Sequence, residues 1–148
     1  MVYVLGIKMK KYLTIINVSL FALLIFVLFT YSRSQDTRDL GIGPIKSLNL
    51  GPINKGQVKM GQNIFNNKCF VCHSLDQKKV GPPLGRVAKE QAPEYILNLL
   101  LNTVEMQQKD QRIKQLIYQY KILMPDLKLS KNDASSVLEY LRSASETR

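Results

Sequence analysis

Histidine, cysteine and tryptophan are scarce in this 148-residue chain, which has one histidine, two cysteines and no tryptophan. The histidine and both cysteines lie together in the run Cys69-Phe70-Val71-Cys72-His73. Three ligands this close in sequence do not by themselves close the four-ligand tetrahedron of structural zinc. No segment alternates apolar and polar residues as a strand does, which disfavours a thioredoxin-like CxxC in a βαβ setting. A disulfide between the two cysteines is the third alternative, and it leaves His73 unexplained.

Two cysteines separated by two residues and followed at once by histidine form the attachment signature of c-type haem. In that chemistry the thiols of Cys69 and Cys72 each add across one haem vinyl group. His73 then lies under the iron as the proximal imidazole ligand. The motif therefore predicts one covalently attached haem c.

Residues 12–32 carry no charge and are rich in Leu, Ile, Phe and Val. Twenty-one helical residues can cross a hydrocarbon core of about 30 Å. Because Lys8, Lys10 and Lys11 precede this run, we expect residues 1–11 in the cytoplasm and a single-pass anchor at 12–32 in the inner membrane. The haem domain would then be on the periplasmic side. Ser32-Arg33-Ser34 leaves a cleaved signal peptide open, but signal peptides have shorter apolar cores.

From Arg33 onward the sequence contains 18 basic and 11 acidic residues, which gives a formal charge of +7. A basic surface can attract nucleic acid, anionic lipid or an acidic protein. The absence of an Arg-rich run in an exported, membrane-tethered domain argues against nucleic acid. The remaining expectations are a redox partner with an acidic docking surface, the membrane face, or charge that is merely spread over the surface for solvation.

Glycine and proline are concentrated in residues 33–57, where Gly-Pro-Ile occurs twice, so we expect an extended tether that lies partly on the domain. Residues 58–148 carry helical periodicity, which predicts helices at about 57–70, from Pro93, at 108–121 and at 131–143. Ser130 and Asp133 have the spacing of a capping box before the last helix. The haem-bearing region is predicted to be all-α.

Residues 58–145 resemble class I cytochromes c, in which four to five short helices surround a covalent haem. Gly61 and Phe65 stand before the haem motif, as in that family, where the small residue lets the first helix cross the last one closely. The resemblance implies that Tyr140 lies on the opposite side of this contact. It also implies that the carbonyl of Pro82 accepts the second N–H of the proximal imidazole and that Leu84 packs on the haem ring.

Met124, followed by Pro125, looks like the distal ligand loop of the same family, with Met124 as the sixth ligand of the iron. Met106 is its competitor, since no second histidine exists. The chain departs from the family pattern in having no tryptophan to hydrogen-bond a haem propionate. Arg86, Lys89 and the tyrosines are candidate replacements, and nothing in the sequence selects among them.

The resemblance implies an electron carrier that catalyses no bond chemistry and takes no small-molecule substrate. The tethered single-haem plan is also similar to membrane-anchored cytochromes that accompany nitrous oxide reductase systems, and to tethered cytochromes that serve terminal oxidases. A haem enzyme or gas sensor with a labile sixth ligand is an alternative, although a peroxidase-like site would need a distal His or Arg and no second His exists. An integral subunit of a larger respiratory complex is another.

Overall fold

The computed structural model describes residues 16–29 and 39–148. The chain divides into one unit that ends at Arg38 and a second that runs from Asp39 to Arg148. In the first unit, residues 16–29 are helical (α1) and their side chains are exposed. Across the described residues, no helix combines the length and the apolar character that crossing a membrane requires. The anchor that we predict at 12–32 extends beyond these residues on both sides, and the predicted cytoplasmic segment 1–11 lies outside them.

The second unit is built from helices and irregular segments, and no strand occurs among its residues 39–148. This confirms the all-α prediction for the haem-bearing region. Its helices, in chain order, are α2 Lys55–Ile64, a π-helical turn Phe65–Cys69, α3 Val87–Glu90, α4 Pro93–Leu101, α5 Thr103–Lys109, α6 Gln111–Tyr120 and α7 Lys131–Glu146.

The starts of α4 and α7 follow from local capping. Pro93 occupies the first turn of α4, where a missing N–H costs nothing. Ser130 caps α7 by accepting from the N–H of Asp133, while the Asp133 carboxylate accepts from the N–H of Ser130. Both features were expected from the sequence. Helix α3 was not expected. The helix predicted from Pro93 onward was expected to continue to Met106, and its interruption at Asn102, which separates α4 from α5, was not foreseen.

The crossing of α2 and α7 is the most extensive contact between helices of the second unit. It depends on Gly61, because a Cβ there would lie 1.9 Å from the carbonyl oxygen of Ser136 and 3.0 Å from the Cβ of Tyr140. Beside this crossing the rings of Phe65 and Tyr140 pack with centroids 5.2 Å apart and planes tilted by 56°. The structure therefore brings Gly61, Phe65 and Tyr140 together.

Two apolar clusters form the core. The larger contains buried residues from the π-helical turn, α4, α7 and the segment before α7, namely Phe65, Cys69, Ile96, Leu97, Leu100, Leu129, Ala134, Val137, Leu138 and Leu141. The smaller lies between α4, α5 and α6 and consists of Tyr95, Met106 and Ile113. Fully burying one such large side chain contributes about 1.5–3 kcal/mol. These clusters hold the helices that carry the site.

The segment 39–54, which we call the strap, lies along the helices instead of extending away as a free tether. The side chain of Asn98, which is 0% exposed, donates to the carbonyl oxygens of Leu40 (2.7 Å) and Ile45 (2.8 Å) and accepts from the Ile45 N–H (2.8 Å). The buried Glu94 carboxylate accepts from the Leu48 N–H at 3.0 Å. Buried polar side chains of α4 thus satisfy the strap backbone. The compact unit begins at Asp39.

Candidate functional site

The single histidine is held from two sides. Its backbone N–H donates to the Cys69 carbonyl at 2.9 Å, which closes a tight turn after the π-helical segment. Its Nδ1 lies 2.8 Å from the Pro82 carbonyl oxygen. Because a carbonyl only accepts, Nδ1 carries the proton and Nε2 keeps its lone pair for a metal. The family resemblance described above implied this Pro82 contact, and the structure places the two groups at hydrogen-bond distance.

Gly81 makes room for the imidazole. A Cβ at this position would lie 2.5 Å from His73 Cε1 and 2.9 Å from Nδ1. The Gly81 N–H also donates to the Cys72 carbonyl at 2.8 Å, which ties the Gly-Pro-Pro-Leu segment to the haem motif. This role of Gly81 was not predicted from the sequence, although its position directly before Pro82 indicated that it lies near His73.

Cys69 and Cys72 are not joined in a disulfide. Cys69 is buried in the larger apolar cluster, and Cys72 is partly exposed. Burial raises the pKa of the Cys69 thiol to about 11, an effect that the neighbouring Lys68 charge only partly opposes.

A cavity of about 310 Å³ contains all the predicted ligand groups on its wall: Cys69, Cys72, His73 and Met124. Pro82 and Leu84 also line it. The rest of the wall is mainly aliphatic, with Ile96, Leu99, Leu100, Leu116, Ile117, Leu127, Val137 and Leu141. Two thiols, one imidazole and one thioether in an apolar cavity are the donor set that covalent haem with mixed axial ligation needs. The residues present therefore fit haem c.

Among the described residues, Met124 is the methionine that lines this cavity. Its competitor Met106 is 0% exposed in the smaller cluster, where its sulfur accepts from the Ile42 N–H at 2.9 Å. Met60 lies on α2, is 45% exposed and does not line the cavity. The geometry favours Met124 over Met106 as a ligand, and the ligation itself stays a prediction.

Gln107, on α5, lines the same cavity and holds the backbone of Met124. Its Nε2 donates to the Met124 carbonyl, and its Oε1 accepts from the Met124 N–H, both at 3.0 Å. Sequence reasoning missed this residue, because a glutamine on an amphipathic helix is normally a solvent-facing position.

The charged residues on the cavity wall are Lys68, Glu90 and Arg112. The Arg112 guanidinium lies 4.0 Å from the Tyr95 ring centroid, and its Nη2 is 2.9 Å from a carboxylate oxygen of Asp39 in the strap. Arg86, Lys89 and the tyrosines were the candidate propionate partners. Tyr95 and Tyr120 line the cavity, whereas Arg86 and Lys89 do not. Arg86 forms a surface ion pair with Glu90 at 3.4 Å.

Comparison with known proteins agrees with this geometry. A sequence model of the family described as cytochrome c matches residues 58–145. A solved cytochrome c from Rhodothermus marinus is 39% identical to this chain. The match covers 76% of this chain and 100% of the R. marinus chain, and the two superimpose with a TM-score of 0.73. An engineered form of the R. marinus protein is also 39% identical. Its match covers 70% of this chain and 91% of the engineered chain, with a TM-score of 0.68. A second engineered form, solved with a bound carbene intermediate, is 38% identical over the same shares with a TM-score of 0.65. No match is found among curated proteins.

Proposed function

Because the chain belongs to the cytochrome c family and therefore binds one covalently attached haem c, we propose that it carries single electrons between membrane-bound or exported redox partners. The observation that carries the proposal is the cavity, in which the thiols of Cys69 and Cys72, the oriented imidazole of His73 and the thioether of Met124 lie together. When bound, haem supplies the one-electron iron couple.

The residues of the chain determine how that couple behaves. The Pro82 carbonyl keeps the His73 ring in one orientation, with Nε2 available to the iron. A thioether ligand from Met124 would raise the reduction potential of the haem relative to a second imidazole. The apolar wall would disfavour the more highly charged oxidised state of the bound haem. Together these features suit a carrier that accepts and releases one electron with little rearrangement.

Three exposed lysines lie on or beside the cavity wall, which supports docking to an acidic partner. Lys68 lines it directly. The ammonium of Lys78 lies 4.8 Å from the ring centroid of Tyr120, which also lines it. Lys79 precedes the wall residue Val80 and donates to the Phe70 carbonyl at 2.6 Å. Such a cluster steers an acidic surface toward the haem edge in a brief encounter.

Charge reversal tests this docking surface. We expect Lys78→Glu to slow oxidation by ferricyanide, an anionic one-electron oxidant, and to weaken the dependence of that rate on salt. Lys131→Glu, on an exposed residue that does not line the cavity, is the matched control and should change the rate less. Equal effects of the two substitutions, or a wild-type rate that is flat with ionic strength, would support the alternative of charge spread only for solvation.

We also propose that residues 12–32 are retained as a membrane anchor with the haem domain on the periplasmic side. The uncharged 21-residue run and the lysines before it support this, as does the helical conformation of residues 16–29. The mature protein should stay with membranes in high salt and begin at Met1 or Val2. A mature N-terminus at Gln35 would show that the segment is a cleaved signal peptide.

Nitrous oxide reductase and a terminal oxidase are the proposed classes of acceptor, on the strength of the tethered single-haem plan alone. The purified reduced protein, offered separately to each enzyme, should support turnover of one of them at low ionic strength. Failure with both would leave electron transfer intact but would contradict this choice of acceptors.

A further inference from the structure

The predicted sixth ligand lies in the loop between α6 and α7, and the part of this loop that precedes Met124 is poorly buried. Residues 121–130, between α6 and α7, have no regular secondary structure. Immediately before Met124, Ile122 and Leu123 are 43% and 63% exposed, so burial there contributes little. Within residues 39–148, the hydrogen bonds that join residues 122–129 to the rest of the unit are the two made by Gln107. The loop is also held by packing from Met124 onward, because Leu129 is buried in the larger cluster and Met124 and Leu127 pack against it. Gln107 therefore adds to this packing the two hydrogen bonds that fix the backbone of Met124.

The geometry of this contact fixes the backbone of Met124 at both of its polar groups. The Gln107 amide donates to the Met124 carbonyl and accepts from the Met124 N–H, in the way that a neighbouring strand would. Pro125 has no N–H and cannot add a donor of its own. With both groups paired, the residue can neither turn about its own axis nor move away from α5 without breaking two hydrogen bonds.

The helix that carries Gln107 is itself firmly anchored. Met106, the residue before it, is fully buried and receives the Ile42 N–H on its sulfur. The Asn102 side chain, at the start of α5, donates to the Ile42 carbonyl at 3.1 Å. Both contacts join α5 to the strap. Gln107 is thus held in place by the core and the strap, and it transmits that fixed position to the loop.

We propose that Gln107 is a positioning residue for the sixth ligand: its amide keeps the Met124 thioether on the iron and closes that coordination position to outside ligands. The inference rests on the proposed ligation by Met124. A thioether is a weak iron ligand, so its occupancy depends on how often the loop leaves. Each hydrogen bond that must break before the loop moves reduces the open population.

The test compares Gln107→Leu with Gln108→Leu in the full haem-loaded protein. Leucine fills similar space without hydrogen bonds, and Gln108 is the exposed neighbour on the same helix. Loss of two hydrogen bonds should raise the carbon monoxide affinity of reduced Gln107→Leu about tenfold or more over wild type. Its near-infrared sulfur-to-iron band should disappear at a lower temperature than helical circular dichroism does. Gln108→Leu should match wild type in both measurements.

The outcomes separate this inference from the ligand assignment. If Met124→Ala loses the near-infrared band but Gln107→Leu matches Gln108→Leu in band and in carbon monoxide affinity, Met124 is the ligand and the positioning role is wrong. If Met124→Ala keeps the band, both the ligand assignment of Met124 and the positioning role of Gln107 are wrong. Should Gln107→Leu fail to mature with haem, Gln107→Glu replaces it. Glutamate keeps an acceptor for the Met124 N–H but places a second carboxylate oxygen against the Met124 carbonyl, which it repels, so a rise in affinity is again expected, and no rise would overturn the proposal.

Discussion

Replacing Gly61 with alanine tests the close crossing of α2 and α7. The new Cβ would lie 1.9 Å from the Ser136 carbonyl oxygen and 2.5 Å from its carbonyl carbon. Ordinary contact begins near 3.4 Å, so the helices must separate by about 1.5 Å. Both obstructing atoms belong to backbone and cannot rotate away. Overpacking of this kind costs about 1–3 kcal/mol and occasionally more.

Alanine also gains helix propensity over glycine, by up to about 1 kcal/mol. Because backbone atoms block the new methyl group, we expect the clash to exceed this gain and to lower the free energy of unfolding by about 2 kcal/mol, or roughly 8 °C in Tm. Gly56→Ala, on the same helix, is the control. Its Cβ meets only the Asn54 side-chain oxygen, at 3.2 Å, and its effect should stay within about 1 kcal/mol.

Thermal unfolding of the haem-loaded variants, followed by circular dichroism, measures the difference. Haem-stained denaturing gels should show that both variants keep the covalent cofactor. If Gly61→Ala is as stable as Gly56→Ala, the two helices are not as close as the structure has them.

Further predictions concern the strap and the surface. Asn98→Leu leaves the Ile45 N–H without its partner, which should cost about 1–3 kcal/mol and speed proteolysis within residues 39–54, whereas Asn63→Leu on an exposed face of α2 should do neither. The hydrogen bond from Arg148 lowers the pKa of Asp76, so Arg148→Gln should return that pKa toward 3.8 in an NMR titration. Since the pKa is depressed in the folded state, any stability from this pair is present above about pH 4 and is lost as pH falls through the lowered value.

Features of the fold that depend on nearby residues could be predicted from the sequence. Pro93 and the Ser130 capping box mark helix starts, because caps are satisfied within one turn. Helix α3 is a single turn, too short for periodicity to reveal. Helices α4 and α5 are separated only by Asn102, whose side chain bonds to the Ile42 carbonyl and to Glu105, and such a local interruption has no apolar signature.

The candidate site shows the same division. The spacing of Cys69, Cys72 and His73 is dictated by haem chemistry, so it can be read directly from the sequence. Gln107 could not be found in this way, because its role exists only once α5 faces the loop of Met124. The sequence around Asn98 indicates its role only in part, because Asn98 is a polar residue between two leucines on the apolar helix α4. A polar side chain buried at such a position needs hydrogen-bond partners. The partners lie more than 50 residues away in the strap.

The near-infrared sulfur-to-iron band of the oxidised protein tests the central assignment most directly. Met124→Ala should lose this band, lower the reduction potential and open the iron to carbon monoxide, while its covalent haem remains. Met106→Ala should keep the band and instead lose about 2–5 kcal/mol of stability, because its side chain is fully buried. If Met124→Ala keeps the band and Met106→Ala loses it, Met106 is the ligand and this account of the site is wrong.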